Sequence, residues 1–451
     1  MKNIFTFLLF FFLLSTVDAL CQLTFSKDEY ALRREKMMDK IQDGIAIIWG
    51  STMPIEEQHF RQYNNIMYFA GTEVPDVILV IDGEKRESYL FFTISEKTAD
   101  GENISLDLVR DPEKVTGIEN YLPYEQFTPF LKERLRENTV IYTPFKSEEL
   151  VGDCTGEKFN KIKRYITDNE WDGRLSRELQ FVKLLNERFP ENKVIDCSPY
   201  IWDLRKIKSS AEVDLLRKAC RLGVKAHKAV IKATKPGAEE KRLAALFDYV
   251  CYAEGAKGMA FNTIIMSAEH HAYGHYCQYD RILEDGDFII LDAGPDVEYY
   301  DSDISTTFPA NGNFSEKQRE VYEFALKIRK VCQETYMPGI TLADVGAEVQ
   351  KMLEKEGYDT DERRFRGYIR SGGFNHGIGM AVHDKMDNFD RAKEPLQVGF
   401  VFACDIMARA DSVTSVRIED TVVITEDGCE VLSAGLPRTV KEIEDFMKNN
   451  K

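Results

Sequence analysis

Hydrophobic positions along the chain change their period several times, and each change marks an element. From Ala211 to Thr234, Leu215, Ala219, Leu222, Ala226 and Val230 recur at three and four residues, which predicts an amphipathic helix. Pro236-Gly237 ends it. Glu239 to Glu254, Ser315 to Tyr336 and Leu342 to Glu356 predict three more helices, with Ser315 as an N-cap. Lys27 to Ile41 reads as a helix, and Gly44 to Gly50, Val77 to Ile81, Ser88 to Thr93 and Thr139 to Thr143 read as strands. Charged, helix-prone stretches separate them, so residues 20–204 are expected to form a smaller α/β domain with a mixed sheet. Lys206 to Ser210 is the expected junction.

In the remainder, 205–451, several apolar runs meet acids. Phe288 to Leu291 runs into Asp292, Ile304 to Phe308 leaves Asp303, Val398 to Cys404 ends on Asp405, and Val416 to Ile424 carries Glu419. Between the helices these runs predict a curved, largely antiparallel sheet, making the chain α+β. Gly294-Pro295-Asp296 predicts a turn that folds Asp292 and Asp303 into a hairpin. Carboxylates brought that close cannot both stay ionised unaided, so the hairpin calls for a cation. Its plain alternative is a solvated acidic loop. By pattern alone Asp301, on the same strand face, is as good a ligand as Asp303.

Histidine is scarce, with seven in 451 residues. His275, His376 and His383 lie in Gly-rich or Tyr-rich surroundings rather than on apolar helices. On an ideal strand His376 and His383, seven apart, would face opposite sides. The glycines in Gly372-Gly373-Phe374-Asn375-His376-Gly377-Ile378-Gly379 would let the chain bend so that both meet one cavity. Arg417 and Glu419 share a strand face, and such a charged pair is costly to bury without further partners.

Net charge −17 and a pI near 5.1 exclude nucleic-acid binding, which wants a basic face. Nine cysteines include no C-x-x-C pair; Cys220, Cys251 and Cys404 read as core residues. Residues 1–19 have the pattern of a secretory leader: Lys2, an apolar core from Ile4 to Leu14, and Val17-Asp18-Ala19 before the cut. That core falls short of the ~20 apolar residues of a membrane span, and no other segment could cross. The expected location is therefore outside the cytoplasm, in a bacterial periplasm or cell envelope. Cys21 raises lipidation as an alternative, which Leu20 fits poorly.

Taken in order, Asp292, Asp303, His376, His383, Asp405 and Arg417-Ile418-Glu419-Asp420 resemble the pita-bread dinuclear metallopeptidases, the family of Xaa-Pro aminopeptidase, Xaa-Pro dipeptidase and methionine aminopeptidase. The likeness covers most of the mature chain. Arg205-Lys206-Ile207-Lys208-Ser209 with Glu212 is similar to the start of that family's catalytic domain. Phe60-Arg61-Gln62 with Tyr68-Phe69-Ala70-Gly71 is similar to the N-terminal domain of its proline-specific members. The resemblance implies that Asp292, Asp303, His376, Asp405 and Glu419 hold two divalent metal ions. It also implies that Arg417 orients the second glutamate, that His275 and His383 face the substrate, and that Asp405 moves the proton. Four carboxylates at −1 each and two ions at +2 each sum to zero. One imidazole among oxygen donors favours Mn²⁺ over Co²⁺, Zn²⁺ or Fe²⁺.

The activity so implied is hydrolysis of the bond preceding proline, either by releasing an N-terminal residue or by splitting Xaa-Pro dipeptides. The partner is a proline-containing peptide, and a homodimer is implied as well. Three positions depart from the family pattern. Gly372 and Thr306 stand where Xaa-Pro aminopeptidases carry histidine and arginine, and Asp405 stands where the family has glutamate. One methylene shorter, Asp405 retreats by roughly 1–1.5 Å, and a shifted strand is the expected remedy. The rival readings are a catalytically weakened or inactive binding protein and a metal-free, creatinase-like C–N hydrolase. Arg409 and Arg370 are the candidates for a basic residue near a substrate carboxylate, which would decide between dipeptidase and aminopeptidase.

Overall fold

A computed structural model describes residues 23–53, 60–102, 104–148, 163–384 and 389–449. The leader expected at 1–19 and the lipidation alternative at Cys21 lie outside the described residues.

The first domain is built on a six-stranded mixed sheet in the order β4-β3-β2-β1-β5-β6. Its strands are β1 (Ile45–Trp49), β2 (Ile78–Asp82), β3 (Glu87–Phe91), β4 (Asn120–Leu122), β5 (Ile141–Thr143) and β6 (Val194–Asp196). Pairings β1–β2 and β2–β3 are antiparallel; β3–β4, β1–β5 and β5–β6 are parallel. Ile45 and Ile47 pack on one side with Phe127, Leu131 and Leu185. Ala46 and Ile48 pack on the other with Met37, Met38 and Ile41 of the helix Lys27–Ile41. Burial on both faces explains why these strands read as continuous apolar runs rather than alternating ones.

The helix Ser198–Lys206 runs across the 204/205 boundary drawn from sequence, and Ile207 then pairs with Phe400 of the second domain. Ser209 starts the long helix Ser210–Ala233 with a capping box to Glu212. Arg33 of the first domain stands 3.5 Å from that same Glu212, which ties the domains together.

The second domain carries an antiparallel sheet in the order β13-β14-β12-β9-β8, with β15 also on β14. The strands are β8 (Ile264–Ser267), β9 (Phe288–Asp292), β12 (Ser305–Pro309), β13 (Val401–Arg409), β14 (Ser415–Thr425) and β15 (Gly428–Val431). Helices Ser210–Ala233, Glu240–Ala253, Glu316–Thr335 and Leu342–Lys355 share its apolar core. A smaller sheet joins β7 (Gly258–Met259), β10 (Pro295–Val297) and β11 (Tyr300–Asp301).

That smaller sheet corrects the expected hairpin. β9 does pair with β12, but opposite Asp292 stands Ser305, not Asp303. The chain between them leaves the sheet, forms β10 and β11, and reverses at Glu298 and Tyr299, both with positive φ. Gly294 is required for a different reason: a Cβ there would lie 1.7 Å from the Ser302 carbonyl oxygen. Asp301 sits on β11 opposite Asp296 and so belongs to the other sheet. Among the described residues no helix is long and apolar enough to cross a membrane, and all seven described cysteines are free, with Cys220, Cys251 and Cys404 fully buried.

Candidate metal centre

The sheet register assembles the centre. Asp292 on β9 is opposite Ser305 on β12, Ser305 is opposite Glu419 on β14, and Glu419 is opposite Asp405 on β13. Directly opposed residues point to one face, so three carboxylates and a hydroxyl form a single row. Asp303, two before Ser305, comes in beside the row. Thr421 Oγ1 accepts from the Asp303 amide at 3.3 Å and donates to its carbonyl at 2.9 Å, which fixes the backbone of that acid. The glycine-rich segment lies along the outer edge of β13, where Phe374 bridges Asp405 and Gly377 bridges Phe402. At Gly373 a Cβ would lie 2.6 Å from the Asp405 carbonyl, so only glycine allows this approach.

The approach delivers the imidazole. His376 Nε2 is 3.5 Å from Asp303 Oδ2 and 3.3 Å from Glu419 Oε1, and ligand atoms of these three residues all lie within 4.8 Å of one another. Asp292, Asp303, His376, Asp405 and Glu419 are all buried. Ser305 Oγ donates to Glu419 Oε2 at 2.9 Å. Arg417 extends along the row: it donates to Asp292 Oδ2, gives Asp405 Oδ2 a bond of 2.9 Å from Nη2, and stands 3.7 Å from Glu419. β13 pairs with β14 one-for-one from Val401 to Arg409, with no slip at Asp405. The short Asp405 side chain is held by Arg417.

The electrostatics suit divalent cations. Burial raises the Asp303 pKa well above the carboxylate range, with Glu419 and Asp292 adding to the effect. Burial also raises Asp292, against Arg417, and pushes Asp405 up to about 7, again against Arg417. Burial works against the Arg417 charge too, yet Asp292, Asp405 and Glu419 together lift its pKa well above the usual value. Burial lowers His376 to about 3, so this ligand is neutral and needs no deprotonation. Asp292 Oδ1 and Asp303 Oδ1 are buried without a hydrogen-bond partner among the described residues. Orphaned carboxylate oxygens in one cluster with a neutral imidazole fit a hard divalent ion.

The other singled-out residues fall as follows. His376 and His383 meet, with ring centroids 4.4 Å apart. His275 lies on an exposed loop and acts electrostatically on Asp292. Asp384, beside His383, is clamped by Arg205 at 2.8 Å and Lys208 at 3.5 Å, which gives the Arg205-to-Ser209 segment a concrete task. Arg409 lines a cavity of about 490 Å³ next to Arg417 and donates to the His271 carbonyl, while Arg370 is exposed on the helix Arg366–Ser371. Thr306 bonds His227 at 3.0 Å, on the sheet face away from Ser305. Gly372 ends that helix in the left-handed region. Ser305 and Thr421 were not singled out from sequence. Each stands two residues beyond a proposed ligand, and strand alternation is the signal that could have found them.

The chain is similar to known proteins along most of its length. A model described as metallopeptidase family M24 matches residues 214–426, and one described as aminopeptidase P, N-terminal domain, matches residues 30–142. The chain is 28% identical over 455 residues to the Xaa-Pro aminopeptidase of Escherichia coli, covering 94% of this chain and 98% of that one. It is 31% identical over 297 residues to the Xaa-Pro dipeptidase of Pyrococcus furiosus, covering 65% and 82% respectively. Among solved structures, zinc-substituted Escherichia coli aminopeptidase P in complex with product is similar at a TM-score of 0.75 and 25% identity, covering 95% of this chain and 99% of that one.

Proposed function

Because the chain belongs to metallopeptidase family M24, we propose that it is a Xaa-Pro aminopeptidase, with Xaa-Pro dipeptidase as the second reading. One observation carries the proposal: four buried carboxylates and a neutral imidazole converge, with two carboxylate oxygens that have no hydrogen-bond partner among the described residues. Asp292, Asp303, His376 and Glu419, with Asp405, would hold two ions, and the oxygen-rich set favours Mn²⁺. Two ions in such a site supply Lewis acidity for the scissile carbonyl and a water acidic enough to react near neutral pH.

The remaining tasks fall to side chains. Arg417 keeps Asp292 and Asp405 apart and in place. Asp405, with Oδ1 bonded at 3.3 Å by Arg417 Nε, is the proposed carrier of the proton from water to the proline nitrogen. His383 and His275 would hold the developing oxyanion and the proline side, and the clamp on Asp384 anchors the chain next to His383. End-to-end similarity to an aminopeptidase and the open cavity beside Arg417 support the aminopeptidase reading. Export through residues 1–19 and a homodimer are proposed with it.

The test compares Xaa-Pro-Xaa, Xaa-Pro and Xaa-Ala-Xaa peptides with manganese-loaded protein. Release of the N-terminal residue from the first alone is expected. Faster cleavage of the dipeptide would favour the second reading, and cleavage of the alanine peptide at a similar rate would end both.

A further inference from the structure

A second group of metal-ligating side chains lies outside the catalytic row, at the base of the loop that carries His275. Glu240, the first residue of the helix Glu240–Ala253, is fully buried. Its carboxylate accepts from the Ser267 amide at 3.0 Å, the Ser267 hydroxyl at 2.7 Å and the Arg281 amide at 3.4 Å. His270 Nδ1 stands 3.1 Å from both of its oxygens. The nearby guanidinium of Arg281 is committed elsewhere, to Asp287 at 2.7 Å and Glu269 at 3.0 Å. Among the described residues His270 is the titratable side chain set directly against the Glu240 carboxylate.

This pairing fixes what the rest of the imidazole does. In the tautomer that donates Nδ1–H to Glu240, the lone pair is on Nε2, which stands 3.3 Å from Asp280 Oδ1. The Tyr276 ring stacks on His270 with centroids 3.8 Å apart, and its hydroxyl donates to the same Asp280 oxygen at 2.7 Å. A histidine whose other nitrogen is held by a carboxylate is the usual way a protein presents imidazole to a metal. The spacing agrees as well. Two ligand atoms, each about 2.1 Å from zinc and at a tetrahedral angle, stand about 3.4 Å apart. Nε2 and Oδ1 already have that separation, whereas an N–H···O hydrogen bond centres on about 2.9 Å.

We propose that His270 Nε2 and Asp280 form a binding site for a third divalent ion of the zinc class, separate from the catalytic centre and oriented from behind by Glu240. The donors are one imidazole nitrogen and one carboxylate oxygen, with water completing the shell, and by the general order of divalent-ion affinities such a site binds zinc more tightly than manganese. His270 and Asp280 each lie five residues from His275. An ion joining them closes the base of the loop that brings His275 to bear on Asp292. That consequence rests on the metallopeptidase reading; the binding itself does not.

The test is titration of the metal-free protein with zinc chloride, followed by calorimetry, using an Asp303→Asn background to disable the catalytic centre. One zinc per chain is expected in that background. Adding His270→Asn or Asp280→Asn should weaken it at least tenfold. Asp280 is 65% exposed, so its variant tests the site without disturbing the fold. In the otherwise native protein, three zinc ions are expected, falling to two with His270→Asn. No zinc in the Asp303→Asn background, or an affinity that neither added variant changes from that background, overturns the proposal. A native protein that binds a single zinc, lost with His270→Asn, would uphold this site while sinking the catalytic one.

Discussion

Replacing Arg417 by glutamine should cost the metal-free protein far more stability than the metal-loaded one. Arg417 is buried against Asp292, Asp405 and Glu419. Fully ionised, the four carboxyls including Asp303 would sum to −4, and Arg417 at +1 brings that limit to −3. The variant removes the one cation among these buried side chains, so their ionised forms become costlier still. Removing one partner of a buried ion pair typically costs about 3–5 kcal/mol. For a domain of this size that lowers the melting temperature by on the order of 10 °C. Two divalent ions add +4, so the loaded variant sums to zero and the loss largely disappears. By the thermodynamic cycle, relief of about 3 kcal/mol means the ions bind the variant roughly a hundredfold more tightly. Differential scanning calorimetry at pH 8, after chelation and after manganese addition, measures both arms. Equal losses with and without metal, or a metal-free loss below about 1 kcal/mol, would refute the reasoning.

Other substitutions probe the same row. Asp303→Asn should abolish manganese binding at the row and lower hydrolysis by at least ~10³-fold, while raising metal-free stability by about 1 kcal/mol, because it removes a carboxyl whose ionised form is disfavoured by burial and by Glu419; manganese elemental analysis and urea unfolding would register each. Asp405→Glu should extend the carboxylate by roughly 1–1.5 Å past Arg417 and raise turnover by up to about a hundredfold; unchanged or lower turnover on a Xaa-Pro-Xaa peptide would count against the short side chain as a limitation. Metal binding should release protons. Asp405 is raised to about 7 in the metal-free fold against an ordinary 3.8, so the fold gains from protonation below 7 and the ions must displace that proton. Manganese affinity should therefore weaken about tenfold per pH unit below 7 for each proton displaced, as read by titration calorimetry in two buffers; a pH-independent affinity from 5.5 to 7 would contradict this.

Much of the architecture was legible because it follows from local periodicity. The three-and-four spacing from Leu215 to Val230 gives the helix Ser210–Ala233, with Leu216 the more deeply buried of the adjoining leucines. The apolar runs ending in Asp292 and Asp405 are strands β9 and β13, ending at or running through those acids. The hairpin turn was misread because glycine and proline at 294 and 295 look like a reversal. The reversal instead uses Glu298 and Tyr299 in left-handed conformations, stabilised by burial of Tyr299 and its hydroxyl bond to Glu73 at 2.6 Å. That bond spans the two domains and leaves no local signature. Likewise, nothing near Asp405 shows that Arg417 would hold it; the contact depends on the β13–β14 register, which only the folded sheet defines. Asp303 could be chosen over Asp301 only through resemblance, since the two separate into different sheets by an excursion that strand alternation does not encode.

The central claim is that the row from Asp292 to Asp405 is a two-metal centre. Counting manganese by elemental analysis, after gel filtration of protein reconstituted with the ion, tests it most directly. Two ions per native chain and none in the Asp303→Asn variant are predicted. A native chain that retains no ion, or a variant that retains both, would contradict the account.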